Sequence, residues 1–239
     1  FLQTPSGVQV LVDGGPDAAI LEKLGGVMPF WDRSIDLVVS THPDADHLAG
    51  LVDVLAQYDV AAVATPGILK DTSLFREWQE KLEGEGAEII LVDRAKRISF
   101  GDELRLYMVW PQKDMSGKAS EKPNDFGIVA RSSVGGGGSV LLTADIERWA
   151  EQKIVESGLD IRGDILKIAH HGSKTSSSEA FLAAVHPKFA VISSGKNNRY
   201  GHPYPGTLER LVRLHIPALR TDMEGDVVFS FESIGPVQK

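Results

Sequence analysis

Cysteine is absent from the 239 residues. That excludes disulfides, thiolate metal ligands and a cysteine nucleophile, and leaves His, Asp and Glu for any metal chemistry. It leaves the compartment open. No apolar run approaches the ~20 residues of a membrane-spanning helix, so the chain by itself is expected to be soluble. Basic residues are in deficit, with 25 Lys and Arg against 33 Asp and Glu and a formal net charge of −8. This argues against a broad basic surface that grips nucleic acid of any sequence. A local basic groove fits the balance, and bound divalent cations would offset part of an acidic site. No basic, apolar and small-residue succession marks a signal peptide. Opening on Phe1-Leu2-Gln3, already strand-like, the chain is expected to be a domain cut from a longer protein. Repeats and Ser/Gly/Pro linkers are also lacking, so residues 1–239 are read as one domain.

What is present centres on Thr41-His42-Pro43-Asp44-Ala45-Asp46-His47. Ile35 to Val39 before it is an apolar, β-branched run that reads as a buried strand. Leu48 to Tyr58 after it has helical spacing. Two imidazoles and two carboxylates therefore stand on a loop between rigid elements, as a metal site requires. The bland alternative, an acidic turn capping a helix, needs one carboxylate and no histidine.

The rest of the chain alternates strands and helices. Phe1 to Gln3 and Val8 to Val12 read as a hairpin leading to Asp13-Gly14-Gly15. Ala18 to Leu24 reads as a helix, Ala61 to Ala64 as a strand, Thr72 or Ser73 to Leu82 as a capped helix and Glu88 to Val92 as a strand. Arg97 to Pro111 is a hairpin on its alternating apolar residues. Gly127 to Ser133 and Ser139 to Thr143 are strands joined by the Gly135–Gly138 tip, which lacks the Lys-Ser/Thr of a phosphate loop. Ala144-Asp145 follows, then a helix over Glu147 to Ser157 and a strand over Asp164 to Ala169 ending at His170-His171. Ser177 or Ser178 caps a helix to Val185. Phe189 to Ser193 is a strand, Gly195 to Gly206 a polar loop, Thr207 to Leu214 a helix, and Ala218 to Phe231 a closing pair of strands. The order predicts an α+β fold, an αββα sandwich of two mixed sheets with outer helices. Asp13, His42 to His47, Asp145, His170-His171 and His202 all follow strands, and one edge of such a sandwich would gather them. His186 and His215 read as structural helix-end residues. Trp31, Trp78, Trp110 and Trp149 read as core or helix-face aromatics.

Two ions a few ångströms apart need shared ligands, and a bridging carboxylate provides them. His42 and Asp44 would face one ion and Asp46 and His47 another, with Asp145 bridging and a remote histidine completing the second shell. At this point the chain resembles the metallo-β-lactamase superfamily over nearly its whole length. That pattern has an early strand-end Asp, an HxHxDH loop, a later His, a bridging Asp and a final His. Thr41 to Leu51, Leu166 to Ser178 and Ser194 to Pro203 are similar to the branch formed by the soluble domain of ComEC-type bacterial DNA-uptake channels and its stand-alone relatives.

The resemblance implies that Asp13 holds the ring nitrogen of a ligand. It implies that His42, Asp44, Asp46, His47, Asp145 and His171 bind metal, and that His170 contacts substrate or moves a proton. His202 would complete a metal shell or protonate a leaving group. Asp46 is counted with His170 and His202 among the catalytic residues. Ser173, Lys174, Asn197, Asn198 and Arg199 are expected phosphate contacts. Two departures stand out. Asp44 replaces the usual histidine, and Lys122-Pro123-Asn124-Asp125 stands where the later histidine is expected. Both exchange nitrogen for oxygen, which moves preference from zinc toward manganese or magnesium and weakens the first ion's site. Two divalent ions are expected, manganese favoured and zinc able to enter.

The expected reaction is hydrolysis of a phosphodiester in DNA during uptake, with hydroxide generated between the ions attacking phosphorus in line. The implied setting is a monomeric soluble domain of a bacterial membrane channel on its extracytoplasmic face. A cytoplasmic or secreted stand-alone enzyme is the alternative. Two other functions stay open: hydrolysis of a small phosphodiester or phosphocholine ester, and a non-catalytic metal-binding or DNA-guiding module.

Overall fold

Buried strands flanked by amphipathic helices account for both compact units of the computed structural model. It describes residues 1–135, 137–231 and 235–236, with backbone alone at the last two. One unit comprises residues 1–94 and 111–128, the other residues 95–110 and 129–239.

In the first unit a five-stranded sheet runs β1 (Leu2–Gln3), β2 (Gln9–Val12), β3 (Leu37–Val39), β4 (Ala62–Thr65), β5 (Glu88–Leu91) in spatial order. Only β1 and β2 are antiparallel. Val10, Leu11, Leu37, Val38 and Val39 are all buried. That is why β3 reads as a continuous apolar run: a parallel strand covered on both faces has no polar side. Helices α1 (Ala19–Val27), α2 (Ala45–Leu55) and α3 (Ser73–Glu85) accompany it. Leu48, Leu51, Val52 and Leu55 of α2 pack with Leu11, Val38 and Val63 of the sheet and with Phe75 and Trp78 of α3. Each such leucine contributes about 1.5–3 kcal/mol by leaving water. Thr72 caps α3, its hydroxyl accepting the Phe75 N–H.

The second unit holds a seven-stranded sheet, again mixed. It comprises β6 (Lys96–Phe100), β7 (Leu104–Trp110), β8 (Val129–Val134), β9 (Gly138–Leu142), β10 (Ile165–Lys167), β11 (Phe189–Ile192) and β12 (Ala218–Arg220), neighbours in that order. β6 to β9 are antiparallel and β9 to β12 parallel. Helices α4 (Arg148–Glu156), α5 (Glu179–Val185) and α6 (Pro205–Arg213) bury Ile154, Phe181, Leu182, Val185 and Leu211 with Leu141, Leu166, Ala190 and Ile192. Ser178, one of the two expected caps, starts α5.

Four expectations are corrected. The helix expected from Leu48 begins at Ala45, placing Asp46 and His47 in its first turn. The strand expected over 35–39 is interrupted at Asp36, whose backbone N–H and carboxylate pair with the Gln9 backbone. Ala218 to Phe231 does not form a pair of strands: β12 joins β11 in parallel, a helical turn follows over Thr221–Glu224, and Phe229–Ser230 pairs with Gly235–Pro236. Trp31 is 73% exposed and lies edge-on to Phe30, on no helix face. Within the glycine tip, Gly136 lies outside the described residues. Gly138 has a packing reason for its identity, because a Cβ there would run into the Phe231 ring.

Candidate metal centre

In the first unit the donors are aimed by one carboxylate. Asp13 follows β2 with a left-handed backbone (φ 58°). Its Oδ1 accepts the Thr41 N–H at 2.9 Å, and Oδ2 accepts the Thr41 hydroxyl at 2.8 Å and His47 Nδ1–H at 2.7 Å. The Thr41 hydroxyl proton is thereby spent, so toward His42 Nδ1, 2.9 Å away, Thr41 Oγ1 is the acceptor. Both imidazoles then carry a proton on Nδ1, so in the neutral ring Nε2 is the lone pair. Their rings lie 4.2 Å apart and both are buried. Burial pushes the Asp13 carboxyl up, but His47, His42 and the Thr41 N–H together hold it below its ordinary value. Asp13 thus holds the Nδ1 side of the His47 ring. Asp44, at the N-cap position of α2, makes no capping bond and instead accepts Lys70 Nζ at 2.7 Å. Asp46 is exposed on the first turn of α2.

In the second unit Ala144 (φ 45°) turns the chain after β9 and presents Asp145, which is 3% exposed. Lys167 Nζ donates to the Ala144 carbonyl at 2.9 Å and lies 3.6 Å from Asp145 Oδ1. After β10, His170 (φ 49°) and His171 (φ 53°) occupy a left-handed turn. Both lie beyond the last strand residue, Lys167, so the turn and not the strand sets their directions.

His171 Nδ1 donates to the Ser193 carbonyl at 2.7 Å. A carbonyl only accepts, so Nδ1 carries a proton; Nε2 lies 3.2 Å from Asp145 Oδ2, an ion pair when the ring is protonated at both nitrogens. Two lone-pair donors so close repel each other unless a cation or a proton lies between them. Nitrogen and carboxylate oxygen donors, with the ring fixed through its other nitrogen, fit a divalent ion.

Around this pair, His170 Nδ1 lies 3.6 Å from Glu147 Oε1, which accepts the Thr175 hydroxyl at 2.9 Å. His170 Nε2 lies 3.9 Å from Asp145 Oδ2. The His202 ring stacks near His171, with centroids 6.4 Å apart. Burial, with His170 and His171 adding to it, pushes the His202 pKa down against the opposing pull of Asp145. Pro203, joined to His202 by a cis peptide, fills the space a Cβ at Gly172 would need.

The expected phosphate contacts divide. Lys174, Asn197 and Arg199 are exposed, the last stacked on Tyr200. Ser173 is buried, its hydroxyl paired with that of Thr175 at 3.0 Å. Asn198 spends its amide inside its own loop, on the Gly195 carbonyl and on the backbone of His202. Lys70 and Glu147 were not singled out in the sequence. Glu147, next but one to Asp145, had a signal in that spacing, whereas Lys70 had none.

Fold and donor set together define a metallo-hydrolase class, and comparison with known proteins agrees. Residues 9–160 match the model of a β-lactamase superfamily domain. The chain belongs to that superfamily in its metallo-β-lactamase form, a family of metal-dependent hydrolases. It is 33% identical over 203 residues to ComE operon protein 3 of Bacillus subtilis (strain 168), covering 84% of this chain and 25% of that protein. It is 44% identical over 204 residues to competence protein ComA of Neisseria gonorrhoeae, covering 82% and 25% respectively. The chain thus spans about a quarter of the length of these relatives. Among solved structures, the metallo-β-lactamase fold protein YhfI from Bacillus subtilis matches with a TM-score of 0.52 at 12% identity, covering 92% of this chain and 90% of that one. The fold is therefore the α+β type expected. The family implies divalent-metal binding. Candidate ligands are Asp46 and His47 in the first unit and Asp145 and His171 in the second.

Proposed function

We propose that this chain is a metal-dependent phosphodiesterase that cleaves DNA in connection with bacterial DNA uptake. The observation that carries the hydrolase half is the His171–Asp145 pair, a ring nitrogen and a carboxylate oxygen 3.2 Å apart with the carboxylate buried. The competence proteins among the relatives support the DNA half. A divalent ion, manganese by preference and zinc if supplied, would supply Lewis acidity toward a phosphoryl oxygen and lower the pKa of a water.

The chain's own residues do the rest. His170 delivers a proton to the departing ester oxygen, steadied by Glu147, which Thr175 holds in place. His202 packs beside His171, the two rings near parallel. Lys174 and Arg199 meet phosphate charge from exposed positions. Asp13 keeps the His47 ring in one tautomer and one orientation. The setting proposed is a monomeric domain of a longer membrane protein, facing outward from the cytoplasm.

The test is cleavage of single- and double-stranded DNA by manganese-loaded protein, with Asp145→Ala as control and bis-p-nitrophenyl phosphate as a small competitor substrate. DNA cleavage by the wild type alone supports the reading. Turnover of the small ester with DNA left intact moves the assignment to a small phosphodiester, a reading favoured by the net charge of −8.

A further inference from the structure

Asp44 occupies a helix N-cap position, where an aspartate ordinarily accepts a backbone N–H of the first turn. It makes no such bond. Its carboxylate is turned to Lys70, Nζ to Oδ1 at 2.7 Å, with the two side chains 28% and 35% exposed. Lys70 arrives from the segment between β4 and α3, where the backbone is fixed on both sides. The Leu69 N–H donates to the Lys118 carbonyl at 2.9 Å, Leu69 bridges to Ala119, and the Thr72 N–H donates to the Lys70 carbonyl at 3.0 Å.

The Asp44 carboxylate of this loop and the Lys70 ammonium already form an ion pair. A dication held there would meet an ammonium already on one of its ligand oxygens and be repelled by it. Nitrogen is also scarce nearby. The Pro123–Phe126 turn is tied to the loop by the Ile128 N–H on the Thr41 carbonyl at 3.0 Å, and it offers Asn124 and Asp125 but no histidine.

We propose that Lys70 takes the place of the first ion: the domain binds one divalent cation, and the Asp44-held ammonium provides the second positive charge, donating to a non-bridging oxygen of a phosphate ester. The substrate part rests on the phosphodiester reading above; the ion count does not. A carboxylate-held ammonium is a fixed donor for a phosphate oxygen, and it needs no metal uptake.

The test uses metal-depleted protein reloaded with excess Mn²⁺, freed of unbound ion, and measured for manganese per chain and for spin coupling between ions. Wild type and Lys70→Arg are expected to hold one ion with no coupling signal. Lys70→Gln, which removes the charge, is expected to take up a second ion with a coupled spectrum. Affinity for thymidine 5′-monophosphate, measured at one bound ion per chain, is expected to fall about tenfold or more in Lys70→Gln and to be retained in Lys70→Arg. Two ions in the wild type, one ion in every variant, or unchanged nucleotide affinity in Lys70→Gln overturns the proposal. Absence of DNA cleavage with the predicted ion counts intact overturns the functional reading and leaves the count standing.

Discussion

His47 Nδ1 donates to Asp13 Oδ2 across 2.7 Å, joining a residue in the first turn of α2 to the end of β2. The bond holds the proton on Nδ1 and orients the ring, so under the proposed function Asp13 would act on metal through His47. Asp13→Asn, unable to accept at both oxygens, is expected to lower metal affinity about 10–100-fold. Competition against a calibrated chelator measures this, and an unchanged affinity would contradict the assignment.

Glu151 on α4 is fully buried and accepts the backbone N–H groups of Ser177 and Ser178. Truncation to alanine strands both donors, at a cost of about 1–3 kcal/mol each, read from urea unfolding.

The same residue sets a pH dependence. Burial pushes the Glu151 carboxyl up, outweighing the N–H groups of Ser178 and Ser177 and the Arg148 charge. Its folded-state pKa exceeds the unfolded value, so the native chain binds the proton more tightly. The contribution is fully present below the unfolded carboxylate pKa and is lost as pH rises through the folded value. Unfolding midpoints collected upward from pH 4.5 should fall less steeply for Glu151→Gln than for wild type. The opposite order would mean that the two N–H groups outweigh burial.

Gly50 of α2 and Gly14 after β2 are in backbone contact, and a Cβ on either would overlap the other segment. The Gly50 N–H also donates to the Gly15 carbonyl at 3.0 Å. Gly50→Ala is therefore expected to cost about 1–3 kcal/mol or more and to weaken metal binding as well, since it displaces the helix that carries Asp46 and His47. Thermal unfolding with and without Mn²⁺ reports both effects.

His170→Gln is expected to lower kcat about 10²–10⁴-fold with metal content unchanged. Glu147→Gln should give a smaller loss, because it removes the orienting carboxylate and keeps the imidazole. Equal losses of bound metal in both variants would place His170 among the ligands.

The strands and the donors at their ends were legible because both signals are local. An apolar run marks β3, and His and Asp crowd the few positions after it. The start of α2 was misplaced because apolar periodicity begins at Leu48, whereas the polar first turn, Ala45 to His47, is already helical. Lys70 was invisible for a different reason: its partner lies 26 residues away and the pairing exists only once the loops fold. Glu151 carried no mark of its own, since nothing in the sequence announces that the Ser177 and Ser178 backbone will descend on it. Similarly, the His170-His171 pair promised a division of labour, but the left-handed turn that produces it has no sequence mark.

Asp13, Ala144, His170 and His171 all adopt left-handed backbone, and none is glycine. Such residues cost of order 1–3 kcal/mol each in the most strained cases and persist only where surrounding structure insists on them. Here that insistence comes from the sheets, whose last residues immediately precede Asp13 and lie close before the other three. Ion capture by these residues would therefore require finished sheets, because a chain with unfinished sheets holds its histidines and carboxylates out of place.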